Sequence, residues 1–145
     1  MKQFFVKPSF FRPLSLIIMA VMFFSSTALA GLDSYKIYLN GKVLVSQAVN
    51  QNAITLPLEG AKSDDMLVVY YTHCHGELAK DRSIVLRDAG GNVIKEWKFG
   101  NATSATSSMS IPVKEILDAQ KKNAHLQMYY AAGELTPNGR LLASI

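Results

Sequence analysis

Alternation of apolar and polar residues, broken by turn-forming pairs, is the sequence feature that most constrains this fold. Every second residue from Tyr35 to Leu39 is apolar, as the inward face of a half-buried strand requires. Asn40-Gly41 follows directly, and these two residue types tolerate the positive φ angles of a type I′ turn. The alternation resumes after the turn, so the pattern predicts a β-hairpin over residues 35–45.

Runs of β-branched and aromatic residues predict further strands. Residues 66–72 (MLVVYYT) are apolar almost throughout, which suits a central strand buried on both faces. A turn-rich segment separates the strands of a second predicted hairpin, in which Val93, Trp97 and Phe99 share the inward face. The other predicted strands and the arms of that hairpin cover residues 53–58, 84–87, 93–99, 126–130 and 141–145.

One short helix is predicted near residues 113–121. Apolar residues recur at i, i+3 and i+4 between Val113 and Leu117, Pro112 suits the first helical turn, and Ser110 is a candidate N-cap. About eight short strands and a single helix predict a mainly β chain, folded as an antiparallel β-sandwich that is immunoglobulin-like or similar. A small barrel is the alternative.

The first 30 residues carry the features of an export signal. Three basic residues precede an uncharged, mainly apolar run of 11 residues, and Ala28-Leu29-Ala30 matches the small-x-small pattern that signal peptidase accepts. A run of that length falls short of the roughly 20 residues that span a bilayer. We therefore predict a cleavable signal peptide at 1–30, with an uncleaved anchor as the alternative, and a single exported domain at 31–145.

Charge and cysteine content narrow the functional classes. Three of the 15 basic residues and none of the 11 acidic residues lie in the predicted signal, so the rest carries a net charge of +1. A near-neutral domain lacks the basic surface that nucleic acids or anionic lipids require, and we expect no stable membrane insertion after cleavage. We predict a periplasmic or secreted protein whose single cysteine, Cys74, forms no internal disulfide.

The segment His73-Cys74-His75 is the most chemically suggestive part of the chain. In an extended strand both imidazoles would project to one side and the thiol to the other, giving a pair that could hold Cu or Zn. Two ligands are too few for such a site, so Cys74 or His125 would have to assist. A periplasmic metal-binding protein using these four residues is therefore the alternative function.

Simpler interpretations of the same segment compete with metal binding. A histidine-rich strand end is typical of an exposed loop, with Cys74 facing inward as a small apolar residue. Neighbouring strand residues point to opposite faces, so neither flanking histidine is placed to activate the thiol for nucleophilic catalysis. The chain also lacks a G-x-S-x-G or H-E-x-x-H motif, and we predict no enzymatic activity and no cofactor.

The tyrosines offer a different kind of site. Strand tyrosines mostly pack in the core or against neighbouring strands, but Tyr38, Tyr71 and Tyr129 would form a binding platform if they shared one sheet face. Sandwich domains commonly present sheet faces or loops to partners. We therefore expect a non-enzymatic binding or assembly module whose partner is a protein, a peptide or a glycan.

Overall fold

The computed structural model describes residues 32–49, 54–135 and 137–145. The predicted signal peptide at 1–30 lies outside these described residues. No helix among the described residues has the length and apolar character needed to span a membrane. The elements in chain order are β1 (Ser34–Leu39), β2 (Lys42–Ala48), β3 (Met66–Thr72), β4 (Arg82–Asp88), β5 (Val93–Gly100), β6 (Ser108–Pro112), α1 (Val113–Gln120), β7 (Leu126–Ala131) and β8 (Arg140–Ser144).

The eight strands of the described chain form two antiparallel four-stranded sheets. The first sheet has the order β2-β1-β3-β6 and the second has the order β5-β4-β7-β8. Buried residues from both sheets form one continuous core, as expected when two half-apolar sheets cover each other. The chain is thus mainly β with one short helix, an arrangement consistent with the predicted sandwich. Fully buried side chains of this core include Ile37, Leu67, Val69, Ile84, Leu86, Ile111, Leu126, Met128 and Leu142.

The first predicted hairpin and its turn are confirmed, but the predicted inward placement of Val43 was wrong. A β-bulge at Leu44 shifts the register between the Ile37–Val45 and Tyr38–Val43 pairs, so Val45 is buried while Val43 is 49% exposed.

Asn40 and Gly41 have φ angles of 48° and 81°, the positive values that a type I′ turn needs at both central positions. The Asn40 side chain also donates to an Asp65 carboxylate oxygen at 2.7 Å and accepts the Met66 backbone N–H at 3.1 Å. This turn therefore fixes both the β1–β2 hairpin and the start of β3.

Strand β3 is central, as predicted, but it is not buried on both faces. Leu67, Val69 and Tyr71 are buried, whereas Val68 and Tyr70 are only partly covered. The second sheet packs on one face alone, so the side chains of the other face line an outer surface. All four strands of the first sheet contribute to this outer face.

A β-bulge in β5 changes which residues face the core. Trp97 pairs with the buried Ile84 and lies on the predicted inward face, where its indole N–H donates to Glu115 at 2.9 Å. Nearer the start of β5, Lys95 pairs with Leu86, but the next residue of β4, Arg87, pairs with Val93 rather than with the residue between them. This bulge shifts the register of the strand by one residue. Val93 is consequently 55% exposed, and its predicted inward placement was wrong.

The predicted cap of the helix and the predicted strand at residues 53–58 were both wrong. Ser110 and Pro112 belong to β6, an unpredicted strand, so Ser110 does not cap α1; Pro112 occupies the N-cap without a side-chain hydrogen bond. Instead of a regular strand at residues 53–58, Thr55 makes an isolated parallel bridge to Ser144 on the outer side of β8. Only Ile54 and Leu56 exchange backbone hydrogen bonds with Ser144 at this bridge.

Candidate functional site

The segment that follows β3 forms a turn. The backbone N–H of Gly76 donates to the His73 carbonyl at 3.1 Å, and residues 74 and 75 occupy the turn. The chain is therefore not extended here, and the strand geometry that would pair His73 with His75 is not formed. His75 is exposed, and Cys74 is exposed as well rather than facing inward as predicted.

His73 instead packs into a polar cluster where the two sheets meet. Its Nδ1 atom lies 3.5 Å from an Asp33 carboxylate oxygen, and its Nε2 atom lies 3.3 Å from Glu134. The same Nε2 lies 3.2 Å from the Tyr130 hydroxyl. Only 11% of the His73 side chain is exposed, so one imidazole links the start of β1, the end of β3 and the loop after β7. We call Asp33, Tyr71, His73, Tyr130 and Glu134 the His73 cluster.

Asp33 links the His73 cluster to the backbone of the turn that follows β3. It accepts a hydrogen bond from the Tyr71 hydroxyl at 2.7 Å and another from the Cys74 backbone N–H at 3.0 Å. Burial by itself would raise the pKa of Asp33, but these hydrogen bonds and the nearby His73 outweigh it and lower the pKa below its ordinary value. The ionised carboxylate is therefore the form that holds this end of the first sheet.

The two phenols of the His73 cluster are held in their neutral form. Burial raises the pKa of Tyr71, and the hydrogen bond to Asp33 raises it further. Burial likewise raises the pKa of Tyr130, with a smaller contribution from the Glu134 charge. Neither hydroxyl is poised to act as a base near neutral pH, since an effective general base needs a pKa close to the working pH.

The Cys74 thiol is accessible but not activated. Partial desolvation raises the pKa of Cys74, and the adjacent Asp33 carboxylate raises it further. Activated cysteines have the opposite surroundings, with positive charges that lower the thiol pKa. The environment of Cys74 therefore does not favour the nucleophilic thiolate.

His125 is not brought to the other three candidate ligands. It lies just before β7, whose first residue Leu126 pairs with Asp88, whereas the His73 partner Tyr130 pairs with Ile84 toward the other end of the strand. Five residues of strand separate His125 from Tyr130 by about 16 Å. Among the described residues, no three or more His, Cys, Asp and Glu side chains are grouped to hold a metal ion. Metal binding by His73, Cys74, His75 and His125 stays a prediction.

A cleft of about 330 Å³ opens beside the His73 cluster. Its walls carry three carboxylates and the Arg140 guanidinium, together with three apolar side chains. Because both ring nitrogens of His73 lie within 3.5 Å of side-chain acceptors, the imidazole serves the protein's own contacts rather than facing this cleft freely. The lining residues are Leu32, Asp33, Val49, His73, Cys74, His75, Glu77, Glu134, Leu135 and Arg140.

A second concave surface lies on the outer face of the first sheet. Tyr38 and Tyr70 meet there edge to face, with ring centroids 5.5 Å apart and an interplanar angle of 76°. They are diagonal neighbours, because Tyr38 pairs with Val68 while Tyr70 pairs with Lys36. We call this surface the tyrosine groove; it encloses about 450 Å³ and is lined by Ser34, Tyr35, Lys36, Tyr38, Gly41, Val68, Tyr70, Thr72 and Thr106.

The tyrosine groove differs from the platform predicted from sequence. Tyr71 is buried in the core, and Tyr129 lies on the outer face of the second sheet, where Arg87 stacks 5.5 Å from its ring centroid. The three predicted residues therefore do not share a face. The sequence analysis did not single out Tyr70. Because neighbouring residues of a strand point to opposite faces, Tyr70 points away from the buried side chain of Tyr71 and lies on the same outer face as Tyr38.

Comparisons with protein-family models, with curated proteins and with solved structures give no match to this chain. The His73 cluster and the tyrosine groove therefore carry the functional interpretation.

Proposed function

We propose that this chain is an exported, non-enzymatic binding module with an immunoglobulin-like sandwich fold. Its partner, a protein, peptide or glycan, docks on the tyrosine groove. The observation that carries this proposal is the Tyr38–Tyr70 pair, two partly exposed aromatic rings that meet in a concave sheet face of about 450 Å³. Cleavage after Ala30 and release to the periplasm or the medium belong to the same proposal, which N-terminal sequencing of the exported protein tests.

The composition of the groove suits recognition of an extended or ring-shaped ligand. Tyrosine offers a large contact area at a low cost in side-chain entropy, together with a hydroxyl that donates or accepts. Ser34, Thr72 and Thr106 add further hydroxyls, and Lys36 supplies the single full charge of the lining. A few polar groups around an apolar centre are typical of binding sites that orient a ligand.

The His73 cluster supports a structural role more than a catalytic one. Each of its members is engaged by another member, and the phenols remain neutral near neutral pH. Catalysis would require a group that reaches a substrate with a matched pKa, and Cys74 does not supply one. We therefore retain the prediction that the chain is not an enzyme.

Metal handling is the second proposal, with one observation in its favour. The Glu134 carboxylate lies 3.3 Å from Nε2 of His73, so a Cu or Zn ion bound at this nitrogen would have one carboxylate beside it, and the remaining ligands would have to come from rearranged side chains such as Cys74 and His75. Isothermal titration of the purified protein with Cu(II) and Zn(II) tests it. Binding at micromolar concentrations that is lost in His73→Asn would support this function, whereas no heat would remove it.

The main proposal is tested with immobilised glycan and peptide arrays. The wild-type protein is expected to bind a discrete set of ligands, and the double variant Tyr38→Ala/Tyr70→Ala is expected to lose them. Tyr129→Ala is the matched control, since Tyr129 is a partly exposed tyrosine on the outer face of the other sheet. Absence of any bound ligand, or equal loss in the control, would contradict a binding site in the tyrosine groove.

A further inference from the structure

The charged residues in the strands of the first sheet are all positive. These strands contain Lys36 in β1 and Lys42 at the start of β2, and they contain no acidic residue. The acidic residues that directly precede β1 and β3 are Asp33 and Asp65, and each accepts two hydrogen bonds from the protein itself. The outer face of the first sheet therefore carries a positive charge that its own strands do not neutralise.

Lys36 lies between the two aromatic rings of the tyrosine groove and the neighbouring edge strand. It pairs with Tyr70 on β3 and with Ser46 on β2, and Tyr38 follows two residues later in the same strand. Because alternate residues of a strand share a face, Lys36, Tyr38 and Tyr70 all project from the outer face. The exposed Lys36 side chain thus adds a full charge directly beside the rings that line the groove.

The Lys36 ammonium group is not used in an ion pair within the described chain. The lysines that form ion pairs there are Lys95, Lys98 and Lys121, and none of them belongs to the first sheet. A cation in a concave surface whose lining contains no acidic residue favours an anionic ligand. Since the lining has one cation rather than a basic cluster, it suits a single negative charge at this point and not a polyanion such as a nucleic acid.

The backbone of the groove is already used within the sheet. Strand β1 pairs with β2 and β3, and β3 pairs with β1 and β6. An extended peptide that adds to a sheet gains affinity from backbone hydrogen bonds along a strand edge, which the face of two interior strands does not offer. A ligand in the tyrosine groove is therefore held by side chains, namely aromatic rings, hydroxyls and one ammonium group.

This set of side chains suits a sugar. A saccharide ring has an apolar C–H face that packs against tyrosine, and its hydroxyls match those of Ser34 and Thr72. Ser34 and Thr72 pair with each other and lie about 7 Å along the strands from the Lys36–Tyr70 pair. A sugar ring that packs on Tyr70 therefore has hydroxyl partners on one side, and a carboxylate attached to that ring lies within reach of Lys36.

We propose that the ligand of the tyrosine groove is an oligosaccharide that contains uronic acid. Lys36 binds the carboxylate, and Tyr38 and Tyr70 pack against the sugar rings. This inference rests on the proposed function of the groove and adds the chemical class of its ligand. The carboxylate contributes about tenfold or more to the affinity, which is the usual scale for a hydrogen bond between charged groups.

An array of matched saccharides tests the ligand class. It carries tetramers of glucuronate, galacturonate and mannuronate, each beside the neutral tetramer of the same sugar and linkage, and a tetraglutamate peptide as an acidic ligand of another class. The protein is expressed from its full-length sequence and purified. At least one uronate tetramer is expected to bind about tenfold or more tightly than its neutral counterpart and than the peptide.

Two lysine variants locate the contact. Lys36→Met removes the charge but keeps a long side chain, and titration calorimetry is expected to show a loss of about tenfold or more for the uronate tetramer with no change for the neutral one. Lys42→Met is the matched control, because Lys42 is the other exposed lysine in the strands of the first sheet and does not line the groove. Circular dichroism establishes that each variant folds.

The outcomes separate the ligand class from the groove itself. Uronate binding that weakens in Lys36→Met but not in Lys42→Met supports the proposal. Equal binding of the neutral tetramer, unchanged binding in Lys36→Met or tighter binding of tetraglutamate would overturn it, although loss of that binding in Tyr38→Ala/Tyr70→Ala would still uphold the groove as a binding site. Absence of any bound ligand would overturn both.

Discussion

The rings of Tyr71 and Tyr130 stack with centroids 3.9 Å apart and an interplanar angle of 15°, joining the two sheets face to face. Tyr71 belongs to β3 of the first sheet and Tyr130 to β7 of the second. The Tyr71 hydroxyl also donates a hydrogen bond to Asp33, and the Tyr130 hydroxyl lies within hydrogen-bonding distance of His73. The stack therefore makes the polar cluster continuous with the core.

This stack predicts sensitivity to alkali. The pKa of each phenol is raised in the folded protein, by burial first and by neighbouring carboxylates second. Such groups contribute stability that is fully present below the unfolded-state pKa of about 10 and is lost as the pH rises above it. Urea unfolding at increasing pH is expected to show a steeper loss for the wild type than for Tyr130→Phe. Equal slopes would contradict this prediction, and Tyr38→Phe on the outer face is the control.

Asp33 predicts a separate sensitivity to acid. The pKa of Asp33 is lowered in the folded protein despite the opposing effect of burial, so its contribution is present above the unfolded-state pKa of about 3.9 and is lost as the pH falls through the folded value. We expect Asp33→Asn to lower the free energy of unfolding by about 1 to 3 kcal/mol at pH 7 and by less near pH 3. Asp64→Asn, at an exposed turn residue, should change little in the same denaturation series. A deficit for Asp33→Asn that does not depend on pH would argue against this role of the carboxylate.

A buried hydroxyl gives a second link between the sheets. Tyr35 in β1 donates to the Leu142 carbonyl in β8 and accepts a hydrogen bond from the Gln47 amide at 2.6 Å. Tyr35→Phe leaves the Leu142 carbonyl without this donor, so we expect it to cost about 1 to 3 kcal/mol in the free energy of unfolding. Chemical denaturation measures the change, and the same substitution at Tyr38 should be nearly neutral. A neutral Tyr35→Phe would show that the link contributes nothing.

Cys74 provides a test of accessibility against reactivity. The thiol is exposed, so a maleimide should label it in the native protein without denaturant. Its raised pKa limits the thiolate fraction, so alkylation by iodoacetamide should be no faster than that of free cysteine at the same pH. Faster alkylation would reopen the possibility of a catalytic thiol.

The β1–β2 hairpin was predictable because its signals are local. Alternation and an Asn-Gly pair specify the two strands and the turn within a dozen residues, although they do not reveal the bulge at Leu44 that turns Val43 to the exposed side. The bulge in β5 was not predictable in the same way, since one extra residue reverses the facing of Val93 without breaking the sequence pattern. Strand β6 was missed because its five residues contain two serines and end at the proline that was assigned to the helix.

The His73 cluster was only partly predictable, because residues far apart in the chain assemble it. The sequence singled out His73, but its contacts Asp33, Tyr130 and Glu134 depend on which strands are neighbours. The β1–β3 pairing supplies the missing step: Ser34 pairs with Thr72, so the residue before β1 must lie beside the residue after β3. Likewise, once β1 and β3 are known to be adjacent, the alternation of side chains along each strand places Tyr38 and Tyr70 on the same face and so predicts the tyrosine groove.

Hydroxyl-radical footprinting of individual side chains, with and without a ligand identified on the arrays, shows where on the protein the ligand binds. We expect the ligand to lower the oxidation of Tyr38 and Tyr70 while leaving Tyr129 unchanged, because only the first two lie in the tyrosine groove. Protection of His75 and Cys74, with Tyr38 and Tyr70 unaffected, would place the ligand in the cleft beside the His73 cluster and rule out binding at the tyrosine groove.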